Sequence, residues 1–415
     1  MPKITRYPFF CKRFFRLARK LLGSCHFQHL WRIVVAIAGM HGRRSLKRIE
    51  GLTDKERTRQ AISHFLTRAH WNAPELLWRT ALDTLTQLGF RPGDPLYFVV
   101  DDTQKRKRGK LMAAVSKIFL HAEKVYANGH TILGAVLIYR DVVIPCAMRL
   151  WASQTRCADG LEAEPGVPLK FRKLTHLAAD LIGELQAHLP DGQPLVLFDS
   201  YYLCPAVTGA CGQTGYRYIS VVKKNRNFSP DGRPRDRRKL GRYGAGVLAR
   251  EGRTVVVQGK RHILAGRVGG LSKAGRVKLV FSRRPGEKAW VPLVTNELRW
   301  SMKTIVGHYL SRWGIELVFK MSKQYLGLGD YQLLEYRGVV RYLHLVMIAY
   351  LLLTHLALVA NAKACAKRLT PLRLPSIQQL QETLRSQLWD DVIAHLETGK
   401  QTRFAARKIK ELIQR

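Results

Sequence analysis

Apolar residues recur at helical spacing through FFRLARKLL and again from about Pro74 to Leu88, where the proline suits a first helical turn, so residues 1–90 are predicted helical. From Leu96 the pattern changes. LYFVV runs into Asp101, and TILGAVLIY followed by VVIPCAMRLW predicts two adjoining strands turned at Arg140-Asp141. A helix from about Phe171 to His188 leads to the short buried strand LVLF, which ends at Asp199, and Tyr216 to Val222 is the next strand. Strands and crossover helices in this order predict an α/β core with a mixed sheet.

Between roughly Asn225 and Arg299 comes a basic loop, RPRDRRKLGR, and then four strand-like segments, TVVVQG, HILAGRV, RVKLVFS and WVPLVTN, separated by turns. Helical patterns resume from Met302 to about Leu326, from Tyr336 to Val359, and in two shorter pieces up to Arg415. The expected units are a helical N-terminal region (1–90), an α/β core (91–224 and 301–360), a small β domain inserted into it (225–300) and a helical basic C-terminal region (361–415).

The stretch Leu343 to Asn361 is nearly continuous apolar sequence, close to the roughly 20 residues that span a bilayer. It carries His344, Thr354 and His355, is flanked by Arg341 and Lys363, and has no second partner segment, which predicts a buried core helix and not a membrane anchor.

Charge narrows the partners. The chain has 70 Lys and Arg against 30 Asp and Glu, a formal net charge of +40, and the first fifty residues hold twelve Lys or Arg with the single acid Glu50. Cations spread along the whole chain call for an extended polyanion, so double-stranded DNA is the expected partner and the N-terminal region a DNA-contacting unit. The seven cysteines form no CxxC pair and the histidines no HExxH, which excludes the usual zinc patterns and fits a reducing cytoplasm. No GxxxxGK[ST] loop is present, which argues against an ATP-driven motor.

Three acids stand where a metal-dependent enzyme would need them: Asp101 and Asp199 after apolar strands, and Glu316 in the helix beginning near Met302. Phosphodiester attack builds negative charge on the entering and leaving oxygens, and carboxylate-bound divalent cations can stabilise both. On one continuous helix, Tyr309, Arg312, Glu316 and Lys323 would share an arc of roughly 60°. Such a stripe could present a metal ligand and phosphate contacts to one DNA strand.

That spacing, Tyr309-x2-Arg312-x3-Glu316-x6-Lys323, resembles the Y-x2-R-x3-E-x6-K signature of a large group of bacterial insertion-sequence DDE transposases. Asp101-Asp102-Thr103 is similar to their first D-x-T motif and VLFDSYY to their second aspartate motif, and the β-rich stretch resembles the insertion they carry before the glutamate. The resemblance implies an RNase H-like core, Asp101, Asp199 and Glu316 as catalytic metal ligands, Mg²⁺ or Mn²⁺ as cofactor, terminal inverted repeats and target DNA as substrates, a homodimeric synaptic complex, and a cytoplasmic, nucleoid-associated bacterial enzyme. Tyr309, Arg312 and Lys323 would position the DNA. Either Asp101 or Asp102 could be the first ligand, since alternation puts them on opposite faces; Asp101 gives the D-x-T register.

Other features divide between a functional and a structural role. The run Lys105, Arg106, Lys107, Arg108 and Lys110 either grips phosphates, with Lys105, Lys107 and Lys110 as DNA contacts, or forms a solvated loop. Trp290 and Trp300 could stack an unpaired base or pack the inserted domain, the packing role being the commoner one. Asn128, Gly129 and His130 are predicted to turn the chain before a strand. A DNA-binding protein that keeps the transposase fold without catalysis is the competing reading, and retention of all three acids speaks against it.

Overall fold

The computed structural model describes residues 6–53, 58–230, 232, 236–367 and 372–398, the side chains of 395–398 excepted. The N-terminal region folds into α1 (Arg16–Leu21), α2 (Ser24–Gly39), α3 (Leu46–Leu52), α4 (Arg59–Thr67) and α5 (Ala73–Gln87). Side-chain caps fix three of these starts: Ser45, Thr58 and Asn72 accept from the backbone N–H of Arg48, Ala61 and Glu75, and Pro74 occupies the first turn of α5.

Next come β1 (Tyr97–Arg106), β2 (Ser116–Leu120), β3 (Val125–Tyr139) and β4 (Val142–Trp151), then α6 (Gln154–Ala158), β5 (Glu162–Glu164), β6 (Val167–Pro168), α7 (Leu174–His188), β7 (Leu195–Phe198), α8 (Pro205–Thr214) and β8 (Tyr218–Val221). Arg140 and Asp141 both adopt positive φ, 52° and 64°, the two-residue hairpin geometry that matches strand twist between β3 and β4. Asn128 to His130 lie inside β3, not in a turn before it; His130 is buried, with Nδ1 2.7 Å from Tyr331 Oη and Nε2 2.8 Å from the Ala113 carbonyl.

The β-rich stretch holds β9 (Asn227–Ser229), β10 (Arg238–Lys239), α9 (Leu240–Glu251), β11 (Arg253–Val257), β12 (Lys260–Leu271), β13 (Gly275–Arg283) and β14 (Trp290–Thr295). Its strands extend the core sheet. β14 pairs antiparallel with β8, so one twelve-stranded sheet runs β10-β9-β12-β13-β14-β8-β7-β1-β3-β2, with β11 on β12 and β4 on β3. Within it β7 lies parallel to both β1 and β8, and the other pairs are antiparallel. Part of the presumed basic loop is helix α9.

The chain ends in α10 (Met302–Leu310), α11 (Trp313–Tyr325), α12 (Tyr336–Ala360), α13 (Ala362–Ala366) and α14 (Ile377–Thr398). Residues 399–415, the last part of the predicted basic tail, lie outside the described residues. α12 is long and apolar enough to cross a membrane, yet 83% of its most hydrophobic window is buried inside the protein, against α2, α4, α5, α14 and β4. Its polar residues find partners there: His344 at the Val340 carbonyl, Thr354 at the Tyr350 carbonyl and His355 at Gln87 Oε1. Because α12 packs N-terminal helices and sheet together, the buried apolar residues from Cys11 to Leu388 form one core and the N-terminal region is no detached unit.

Candidate active site

The site forms where β7 stops and β1 continues. Val100 pairs with Phe198 in parallel register, so Asp101 and Asp199 follow on adjacent strands. Asp101 lies in mid-strand and not at a strand end: β1 runs on to Arg106, held by β3 on its other side, while β7 ends at Phe198. The carboxylates therefore open into the space left by the shorter strand, the crevice that parallel strand ends provide.

Glu316 arrives on α11, seated by two close approaches. Gly134, paired with Asp101 across β1–β3, has no side chain because a Cβ there would lie 2.9 Å from the Phe319 ring. Gly314 meets β3 and β4 in the same way, its Cβ position falling 2.8 Å from Ile138 and 3.0 Å from Val143. The helix thus lies almost on the sheet beside the aspartate.

Tyr309, Arg312, Glu316 and Lys323 do not occupy one continuous helix. The bonding tightens to i→i+3 at Ser311 and Arg312, whose backbones stay in the right-handed helical region, leaving Tyr309 near the end of α10 and Arg312 as the residue that caps α11. They still gather. The Arg312 guanidinium donates to Asp101 Oδ2 at 2.8 Å and to Glu316 Oε1, and lies 5.6 Å from the Tyr309 ring centroid. Lys323 does not point to open solvent: its ammonium donates to the Gln104 carbonyl at 2.8 Å, and burial, with Lys105 nearby, pulls its pKa down to about 8.

Burial dominates the electrostatics. It pushes the Asp101 carboxyl up to about 7, with Arg312 opposing and the charges of Asp102 and Asp199 adding. Asp102 is also raised by burial, while the Tyr202 hydroxyl, donating to Asp102 Oδ1 at 2.7 Å, and His121 lower it. Tyr309 is raised by burial as well, with Asp199 and Asp101 adding and Arg312 opposing. Tyr202 was legible only as part of VLFDSYY, and nothing in the sequence marked Gly134.

The basic run after β1 divides. Lys107 is buried, its ammonium donating to the carbonyls of Gly329 (2.8 Å) and Tyr331 (3.2 Å) over the Tyr331 ring, and desolvation lowers its pKa to about 7. Its expected phosphate contact is therefore corrected: those donors are already used. Arg106 pairs with Glu123 at 2.9 Å, Lys105 is half-buried, and Arg108 and Lys110 are exposed. Trp290 packs edge-on against Phe281 at 5.6 Å, and Trp300 packs against His308 at 5.1 Å.

Among the described residues no three His, Cys, Asp or Glu side chains are close enough to hold one ion together, since the Arg312 guanidinium stands between Asp101 and Glu316. The donors present, carboxylate oxygens in a crevice, are of the chemical kind a hard divalent cation takes, with Arg312 now supplying the positive charge.

The chain belongs to the DDE superfamily endonucleases, whose family matches residues 22–258. A second family, the transposase DDE domain, matches residues 174–352. No curated protein matches the chain. Among solved structures it is similar to a piggyBac transposase synaptic complex with hairpin DNA, at 12% identity and a TM-score of 0.46, over 94% of this chain and 76% of that one.

Proposed function

We propose that this transposase-family protein cuts DNA at transposon ends and joins the freed end to target DNA, with Asp101, Asp199 and Glu316 as its catalytic carboxylates. The observation that carries the reading is the parallel register that sets Asp101 beside Asp199, with Arg312 linking Asp101 to Glu316. The antiparallel β1, β3 and β4 followed by the parallel β7 and β8 support an RNase H-like core. Asp101, Asp199 and Glu316 would hold Mg²⁺ or Mn²⁺, which supplies charge stabilisation at the attacking and leaving oxygens.

The chain's own residues do the rest. Arg312 is placed to exchange its carboxylate partners for a phosphate, bidentate as its fork allows. Tyr309 stacks beside it, Tyr202 keeps Asp102 oriented, and Lys323 with Lys105 makes the crevice's far wall positive. Lys110 and the basic N-terminal helices supply backbone contacts to double-stranded DNA, inverted repeats included, in a homodimeric synaptic complex. The Y-R-E-K spacing supports a place among bacterial insertion-sequence enzymes, acting at the nucleoid.

The test uses the DNA flanking the coding sequence as a labelled duplex. Wild-type protein nicks it with Mg²⁺ or Mn²⁺, and Asp199→Asn and Glu316→Gln bind it but do not nick it. Cleavage by either variant at the wild-type rate would overturn the assignment.

A further inference from the structure

The β2–β3 hairpin carries aromatic side chains where a strand normally buries them, and its tip is tied to the catalytic strand. The His121 backbone N–H donates to Gln104 Oε1 at 3.0 Å and Glu123 pairs with Arg106 at 2.9 Å, both partners belonging to β1 beyond Asp102. Phe119 and Tyr126 face each other across the hairpin, ring centroids 5.1 Å apart, and His121 sits edge-on to Phe119 at 5.3 Å. Tyr126 is 69% exposed, the most exposed ring in the sheet, with Phe119 and Val125 also open.

The surroundings are cationic. Lys117 lies two residues from Phe119 on the same strand and so on the same face, Lys124 occupies the tip with φ 53°, and the one acid, Glu123, is neutralised by Arg106. Exposed rings with cations around them are the arrangement that holds single strands, whose unstacked bases offer π-faces while lysines follow the phosphates. Duplex bases, stacked on one another, offer no such face. An acidic or apolar protein partner would not explain why the hairpin that carries the rings is tied to the strand bearing Asp101.

We infer that the β2–β3 tip, with Tyr126 at its centre, is a stacking platform for unpaired bases of the DNA strand entering the Asp101–Asp199 crevice. The inference rests on the DNA-cutting function proposed above and adds a site to it: the platform selects ends that are already frayed or single-stranded next to the scissile phosphate.

Binding of a duplex with a short single-stranded extension is compared with a blunt duplex of equal length, 2-aminopurine reporting stacking in the extension. Tyr126→Ala should weaken the extended duplex by about 5- to 100-fold, the usual worth of one stacked base, and leave the blunt one unchanged. Tyr126→Trp should keep the preference and the quenching. Equal weakening of both duplexes, or no weakening, overturns the inference. So does loss of a concentration-dependent dimer in Tyr126→Ala without loss of extension binding, which would make the face a contact between copies. Retained extension preference with no cleavage by the wild type would instead remove the catalytic reading and leave the platform standing.

Discussion

Asp101→Asn should make this protein more stable at pH 8 while abolishing its chemistry. Asp101 has 17% of its side chain exposed, and burial lifts its pKa from 3.8 to about 7 despite the bond from Arg312. A carboxyl raised in the folded state binds its proton more tightly there than in the unfolded chain. Its contribution to stability is complete below about pH 4 and is lost as pH rises through about 7. At about 1.4 kcal/mol per pH unit, the step bounds the loss at roughly 4 kcal/mol. For a chain of this length that corresponds to a melting temperature difference of about 5 °C. Asn keeps the shape and removes the charge, so the melting temperatures of variant and wild type should coincide near pH 4 and separate by pH 8. Mg²⁺ or Mn²⁺ should raise the wild type at pH 8 and not the variant, since only an ionised carboxylate gains from the cation. Equal melting temperatures at pH 8, or a constant offset from pH 4 to pH 8, would refute a desolvated, strained carboxylate at this position.

Two further substitutions separate structural from DNA-contacting roles. Lys107→Met should cost about 1–3 kcal/mol by orphaning the Gly329 and Tyr331 carbonyls and leave the salt dependence of DNA binding unchanged, whereas Lys110→Ala should lower that slope by about one; chemical denaturation and titrations at several salt concentrations check both. Gly134→Val should destabilise by about 1–3 kcal/mol and remove strand cleavage but not duplex binding, because the new side chain pushes Phe319, and Glu316 one turn earlier, off the sheet; Phe319→Leu in the same chain should restore part of the nicking rate.

Where periodicity and turn chemistry agreed, the fold was legible in the sequence. α5 begins with Asn72 and Pro74, the β3–β4 hairpin turns on Arg140-Asp141, and α12 reads as apolar all round because it is buried all round. α9 escaped because Gly241, Gly244 and Gly246 weaken its helical signal; Gly244 is required where Trp290 and Phe281 would meet a Cβ at 2.7 and 2.8 Å. The β-rich stretch looked separable for a related reason: local patterning gives strands but not their partners, and the pairing of Leu293 with Val221 that fuses it to the core spans 72 positions of sequence. At the site, residue identities were legible and geometry was not. One-dimensional spacing put Tyr309 to Lys323 on a single helix, while the helix tightens at Ser311 and Arg312 into two segments and still collects Tyr309, Arg312 and Glu316 by contact.

Arg312 serves two partners from the junction of α10 and α11. One arm of its guanidinium makes the i,i+4 pair with Glu316 along the helix, and the other reaches across to Asp101 on β1. Its side chain is 15% exposed, so in low dielectric it neutralises acids that otherwise repel one another, which is the task a divalent cation would take over. If Asp101 and Glu316 held a divalent cation as proposed, Arg312 would be freed from them and could turn toward a phosphate. Under that proposal DNA binding and metal binding would reinforce one another, because each would supply the partner that the other displaces.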